Sequence, residues 1–418
     1  MEQLTQKELF EGAQLLHCKT ARFKSTRITI RFALPLRKES VSAFAALPGL
    51  LRYTARRYPT TMAMERKLAS LYGAGFSGVA SKIGDAQILS FTISTVADRF
   101  ALGGERISEE CLRFLLACIF EPDLDENGCF KAENLAREKR LMIEDIQSAR
   151  SDKMIYAMQQ LYALLYAGEG AAIPQSGTPE QVEALSTEAV TKAWKTMLEK
   201  AKILVFAVGD TSVEELEQTV KQAFSRVNRS YESPSVLPHP KAAQLKQHHE
   251  IEPLEQCKLN IGFSVGSEDE DALKVMNMIF GRSEMSKLSK VVREKMSLCY
   301  YCSSAYMPHK KTMLVFSGVE AANRSRATEA IMEQLRAMQR GEISQEEIDI
   351  AKRKLKDAYL SAGDSPLEIA QWYLPQMLDK SFKTAAECIE RTQAVTKERI
   401  IACAQSVQAD AIYSLGEA

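Results

Sequence analysis

The chain has 418 residues, and its 54 Lys and Arg are matched by 54 Asp and Glu, leaving no formal net charge. That balance removes the bulk electrostatic reason to expect nucleic acid or an anionic membrane surface as a partner. The length exceeds what one hydrophobic core sustains, so two domains are expected. A charged N-terminal stretch unlike a secretory signal, and no apolar run of membrane-spanning length, lead to the expectation of a cytoplasmic protein without a membrane partner. Nine cysteines without framework spacing fit reduced thiols rather than disulfides. Cys299-x-x-Cys302 is the one close pair; lacking a second pair or a nearby His, it reads as a chance spacing.

In chain order, Thr26 to Leu34 places Ile28, Ile30, Phe32 and Leu34 on one face and Arg27, Thr29 and Arg31 on the other, the period of a half-buried strand. An apolar helix follows around 41–57, then a helix over Arg66 to Tyr72 running into a strand that starts near Gln87. A long charged helix contains Lys139-Arg140-Leu141, and the continuous apolar run from Lys202 to Val208 reads as a central strand. Thr178-Pro179-Glu180-Gln181, Ser212-x-x-Glu215 and Ser344-x-x-Glu347 offer helix N-caps with a capping-box partner. The order then recurs: Leu259 to Val265 repeats the first strand, 269–280 the first helix, Arg293 to Tyr300 the second helix, Thr312 to Ser317 its strand, and Arg353-Lys354-Leu355 the basic helix motif. Equivalent landmarks lie 214 to 231 residues apart, in the same order and with a drift that insertions would make, which argues for duplication.

Proline and polar residues concentrate between the copies, as in a semi-rigid linker. The expected layout is therefore a first domain over 1–228, a linker over 229–253 and a second domain over 254–418. Each half is expected to be α+β, about 200 residues long, with a mainly antiparallel sheet covered by helices.

Chemistry-bearing motifs are sparse. No Gly-x-Ser-x-Gly elbow and no phosphate-binding glycine loop are present. The five histidines are His17, His239, His248, His249 and His309. Only His248 and His249 are close, and adjacent side chains diverge on a helix or strand, so a catalytic metal in this chain is not expected.

Arg293-Glu-Lys-Met-Ser-Leu-Cys-Tyr300, Ser176-Gly-Thr-Pro-Glu-Gln-Val182, Val208-Gly-Asp210 and Glu138-Lys…Met-Ile-Glu144 together resemble, in order, landmarks of the insulinase, pitrilysin and mitochondrial processing peptidase family of zinc metallopeptidases, the M16 family. The resemblance implies that the two halves form one jaw of a clamshell. It also implies an inverted zinc motif, His-x-x-Glu-His, which would fall on Leu50-Leu51-Arg52-Tyr53-Thr54. Leu50 has no lone pair for zinc, Tyr53 is a poor base near neutrality, and Thr54 cannot replace imidazole. Glu144 matches the third ligand by motif, and one carboxylate alone holds no zinc.

By the same resemblance, Arg293 and Tyr300 would bind the scissile peptide, the guanidinium and phenol aimed at a carbonyl oxygen as it becomes an oxyanion. The chain is thus expected to be a zinc-motif-deficient M16 homologue, inactive alone, that assists as partner subunit to a chain bearing His-x-x-Glu-His. Zinc would reside in that partner, this chain would carry no cofactor, and a homodimer is the alternative assembly in isolation. The competing expectation is a scaffold with no role in proteolysis, which would associate without peptidase activity in any combination.

Overall fold

The computed structural model describes residues 3–379 and 381–417. The chain resolves into two compact units, and neither is a continuous stretch of sequence. The first comprises Met1–Gln147, Ile173–Ser235 and Gly363–Phe382; the second comprises Ser148–Ala172, Val236–Ala362 and Lys383–Ala418.

The first unit is built on six strands, β1 (Gln3–Phe10), β2 (Ala13–Lys19), β3 (Ser25–Pro35), β4 (Gly75–Ile83), β5 (Ala86–Val96) and β6 (Lys202–Gly209), in the order β1-β2-β6-β3-β5-β4. Only β2 and β6 run parallel; the other pairs are antiparallel. Ile28, Ile30, Phe32 and Leu34 of β3 enter one core with Phe91 of β5 and the helices Val41–Tyr53 and Ile107–Phe120. Phe32 and Phe91 meet edge to face, with ring centroids 5.9 Å apart, a favoured aromatic arrangement.

Arg27, Thr29 and Arg31 do point to the other face, but that face is covered too. The helix Pro366–Tyr373 packs on β3 and β6, and Tyr373 lies with its ring centroid 5.8 Å from that of Phe206. Burial there, aided by the neighbouring Arg27, brings the Arg31 guanidinium down to about 10, because a charged group loses hydration.

The second unit repeats the plan with β7 (Lys246–Ile251), β8 (Cys257–Val265), β9 (Cys299–Met307), β10 (Thr312–Val319) and β11 (Val407–Gly416), ordered β7-β11-β8-β10-β9. The β7/β11 pair is parallel and the others antiparallel. Strand for strand, β2-β6-β3-β5-β4 corresponds to β7-β11-β8-β10-β9, so the duplication read from the sequence extends to topology, with β1 added to the first copy.

One face of the second sheet is covered by the helix Lys153–Leu165, whose Ala157, Leu161 and Leu165 pack with Leu314, Ala411, Tyr413 and Leu415. Gly262 of β8 leaves the room this needs: a Cβ there would come within 2.7 Å of Leu165. Each sheet therefore receives on its second face a helix from a distant part of the chain. Local periodicity carries no information about such a return.

Helix ends follow their caps. Thr178 with Gln181 and Ser344 with Glu347 form full capping boxes. Ser212 accepts from the Glu215 amide, but the Glu215 side chain turns to Arg106 instead of closing the box.

The stretch expected as a linker carries more structure than its composition suggests. In the first unit, Arg229 donates to the carbonyls of Leu198 and Ala201, both at 2.7 Å. In the second, His239 is buried, with Nδ1 2.5 Å from Glu169 Oε1 and Nε2 3.4 Å from Asp410 Oδ2. Lys310 Nζ lies 2.6 Å from Glu169 Oε2. Burial alone would lower the His239 pKa, but Asp410 and Glu169 outweigh it and hold it above 6.5. The segment then ends as strand β7.

Candidate functional site

The helix Val41–Tyr53 carries at its C-terminus the residues on which the resemblance would set the zinc motif. Leu50 is 1% exposed within the apolar core, so burial is what this position provides. Tyr53 ends the helix, and Thr54 has extended dihedrals and lies outside it. Around Tyr53 the chain places cations: Arg52 Nη2 donates to the Tyr53 hydroxyl at 2.9 Å, and the Arg137 guanidinium lies 4.3 Å from the ring centroid. Thr54 Oγ1 accepts from Asn134 Nδ2 at 3.3 Å.

The helix facing this region is Ala132–Ser151. Its Glu144 is 56% exposed and paired only loosely with Arg140, at 3.4 Å. Glu138, one of the acidic residues in the same sequence run, is the buried one. Its carboxyl fills the notch left by Gly49, where an added Cβ would come within 2.1 Å of it. Burial raises the Glu138 pKa to about 7; the charges of Arg137 and Arg52 oppose the rise, and Asp145 adds to it.

Sequence reasoning passed over Glu138, although a signal existed. Asn134, Glu138 and Met142 repeat every four residues along the buried face, and Glu144 falls off that stripe.

The donor set does not fit a zinc ion. Leu50 offers no ligand, Tyr53 and Thr54 are committed to hydrogen bonds, and among the described residues no three His, Cys, Asp or Glu side chains converge on a metal-holding position. Three of the histidines have structural duties: His17 bonds Thr211 at 2.9 Å, His248 stacks on Tyr413, and His249 bonds Ser414 at 2.9 Å.

In the second unit, Arg293 and Tyr300 lie on consecutive elements. Ser286 starts the helix, its hydroxyl accepting from the Ser289 amide at 3.3 Å. Leu288–Lys295 is π-helical, with the Met296 amide reaching back five residues to the Val291 carbonyl at 2.9 Å. Widened turns of this kind are rare and recur at functional sites. Leu288 and Val292 point into the core, whereas Arg293 is exposed and makes no hydrogen bond or ion pair among the described residues.

Ser297, at φ 51°, reverses the chain in the left-handed region, and β9 begins two residues later. Tyr300 is 61% exposed, its hydroxyl 3.4 Å from Glu320 Oε1. It is also the extra residue of a bulge, since Val319 of β10 pairs with Cys299 while the next residue, Gly318, pairs with Tyr301. The sequence pairing of Tyr72 with Tyr300 shifts accordingly. Tyr72 is itself the left-handed turn residue, at φ 59°, and its counterpart in the second copy is the Ser297 turn.

Residues 184–355 match the family model described as the peptidase M16 inactive domain. Over 401 residues, 95% of this chain and 94% of the relative, the chain is 27% identical to a probable inactive metalloprotease, YmfF, of Bacillus subtilis. These matches make the chain a homologue of the M16 peptidases. A conserved protein from Enterococcus faecalis V583 shares the M16-type fold of this chain at 29% identity, with a TM-score of 0.90 over 99% of both chains. A peptidase M16 inactive domain from Pseudomonas fluorescens has the same fold, with a TM-score of 0.80 at 19% identity, over 99% of this chain and 98% of that one. The chain is an M16 homologue of the inactive type. Among the described residues, no helix is long and apolar enough to cross a membrane.

Proposed function

We propose that this chain is the non-catalytic subunit of a heterodimeric M16 peptidase, presenting Arg293 and Tyr300 to the peptide cleaved by a partner that carries His-x-x-Glu-His and zinc. The observation that carries this reading is the exposure of both side chains on a π-helix and a strand bulge, with Arg293 free of partners among the described residues. A guanidinium left unpaired has its fork of donors available for a carbonyl or an oxyanion, and the phenol beyond it adds another donor. The peptide would enter as an extra strand on a sheet edge of the partner, held through its backbone. The setting would be the cytoplasm.

Co-purification of the native complex, identification of its second chain, and reconstitution of the pair with Arg293→Ala and Tyr300→Phe test the reading. Loss of one oxyanion donor is expected to lower turnover about 100- to 1000-fold. Full activity of both variants would overturn the role given to Arg293 and Tyr300, and stable association with no peptidase activity in any combination would leave the scaffold reading standing instead.

A further inference from the structure

We propose that Cys299 and Cys302 form a reversible dithiol–disulfide pair, oxidised by hydroperoxides, on the bulged edge strand β9. In a regular strand, residues three apart point to opposite faces. Here the bulge changes the count. Cys299 pairs with Val319 and Cys302 pairs with Ser317, and those two partners are two residues apart on β10. Cross-strand partners project to the same face, so the extra residue Tyr300 turns a Cys-x-x-Cys spacing into two thiols side by side on one face.

The two thiols act on each other electrostatically and both feel the Ser317 hydroxyl, which itself donates to the Tyr301 carbonyl at 2.9 Å. Neighbours on one face of a strand are about 6.5–7 Å apart at Cα, at the upper edge of the 4.4–6.8 Å that a disulfide spans. The spacing that looks like chance in the sequence therefore gains a geometric meaning that neither thiol has alone.

The pair is also chemically asymmetric. Cys299 is half-buried and Cys302 is 6% exposed. The Cys302 thiol, against the effect of burial and with help from Ser317 and the Arg293 charge, holds the Cys299 pKa below the ordinary thiol value. The neighbouring Cys299 side chain together with burial pushes Cys302 up. Cys299 is thus the nucleophile and Cys302 the resolving thiol. By contrast, burial drives Cys111 up to about 12 and Cys118 higher still, leaving both inert.

In the first step the Cys299 thiolate attacks one oxygen of a hydroperoxide. An S–O bond forms, the O–O bond breaks, and the alkoxide or hydroxide leaves and takes a proton. In the second, the Cys302 sulfur attacks the Cys299 sulfur. The S–S bond forms, the S–O bond breaks, and hydroxide leaves with the Cys302 proton as water. Two thiols and one hydroperoxide give one disulfide, one alcohol and one water, with two electrons passing from sulfur to oxygen. The bond would tie together the two residues that flank Tyr300 and Tyr301, fixing the bulge. The inference concerns the thiols alone and stands whether or not Tyr300 touches a peptide.

The test uses the full chain, reduced and then exposed to hydrogen peroxide at low molar excess before alkylation and tryptic digestion. Cleavage after Lys295 and Lys310 releases one peptide containing Cys299 and Cys302 and no other cysteine. The expected result is that this peptide becomes unalkylated and lighter by two hydrogens at least about tenfold faster than Cys111 or Cys118 loses its thiol, and that dithiothreitol restores it. In Cys302→Ser, a sulfenic acid at Cys299 should accumulate and be trapped by dimedone. Full alkylation of the peptide while other cysteines oxidise would overturn the proposal. So would a Cys302→Ser variant of native far-UV circular dichroism that yields no dimedone adduct.

Discussion

At the end of the helix Val41–Tyr53 the side chains are satisfied within the fold: Leu50 by the core, Tyr53 by Arg52 and Arg137, Thr54 by Asn134, and the notch at Gly49 by Glu138. At the end of Leu288–Lys295 the reverse holds, with an exposed Arg293 and a bulge that presents Tyr300 to solvent. The strands that follow differ in the same sense. β4 pairs with β5 in unbroken register from Gly75 to Ile83, whereas β9 is bulged against β10. Two copies of one plan have diverged, one toward internal satisfaction and the other toward available donors. Groups that contribute to stability and groups that contribute to binding separate in this way because a side chain fully satisfied by its own fold has nothing left for a ligand.

The largest test of that contrast is functional. Arg293→Ala and Tyr300→Phe should each lower turnover of the reconstituted pair about 100- to 1000-fold while leaving the thermal midpoint of the isolated chain nearly unchanged. A fall in midpoint without a loss of turnover would reverse the assignment.

Glu138 should show the opposite behaviour. Its folded pKa of about 7 lies above the ordinary 4.5, so its stabilising protonation is complete below about pH 4.5 and is lost as the pH rises through 7. The full swing is on the order of 3 kcal/mol. Glu138→Gln should flatten denaturant midpoints across that range and exceed the wild type at pH 8. Equal pH dependence in the two proteins would exclude a buried carboxyl at this position.

Filling the notch should cost less. Gly49→Ala would displace the Glu138 carboxyl and destabilise by about 1–3 kcal/mol, even though Ala is favoured over Gly within a helix by up to about 1 kcal/mol. A gain in stability would show that the notch is open.

The smallest contrast compares two phenols. The Tyr72 hydroxyl donates to Glu105 at 3.0 Å and accepts from the Leu102 amide at 2.9 Å. Tyr72→Phe should therefore lower stability by about 1 kcal/mol, and Tyr300→Phe by less than about 0.5 kcal/mol. Urea melts of both variants decide it.

Much of this is legible in the sequence. The alternation in Thr26 to Leu34 became β3, the repeat at Leu259 to Val265 became β8, and the capping signatures at Thr178 and Ser344 start helices. That Leu50, Tyr53 and Thr54 offer no His-x-x-Glu-His chemistry needed only the sequence. Glu138 was harder to see, because its burial depends on the notch at Gly49, and Glu144 resembles it in composition while lying on the solvent side of the same helix. The bulge was invisible, since which residue of Cys299-Tyr300-Tyr301-Cys302 goes unpaired is settled by register against β10.

The sequence by itself determined the duplicated α+β plan, the strand faces and the absence of a zinc motif. These follow from local periodicity and from what each side chain can donate, and neither depends on distant neighbours. Only the tertiary structure decided that a helix from residues 153–165 covers the second sheet and one from 366–373 the first. It also decided that Glu138 rather than Glu144 is buried, and that Cys299 and Cys302 share a face. Long-range packing and strand register set those outcomes, and both are properties of segments far apart in the chain.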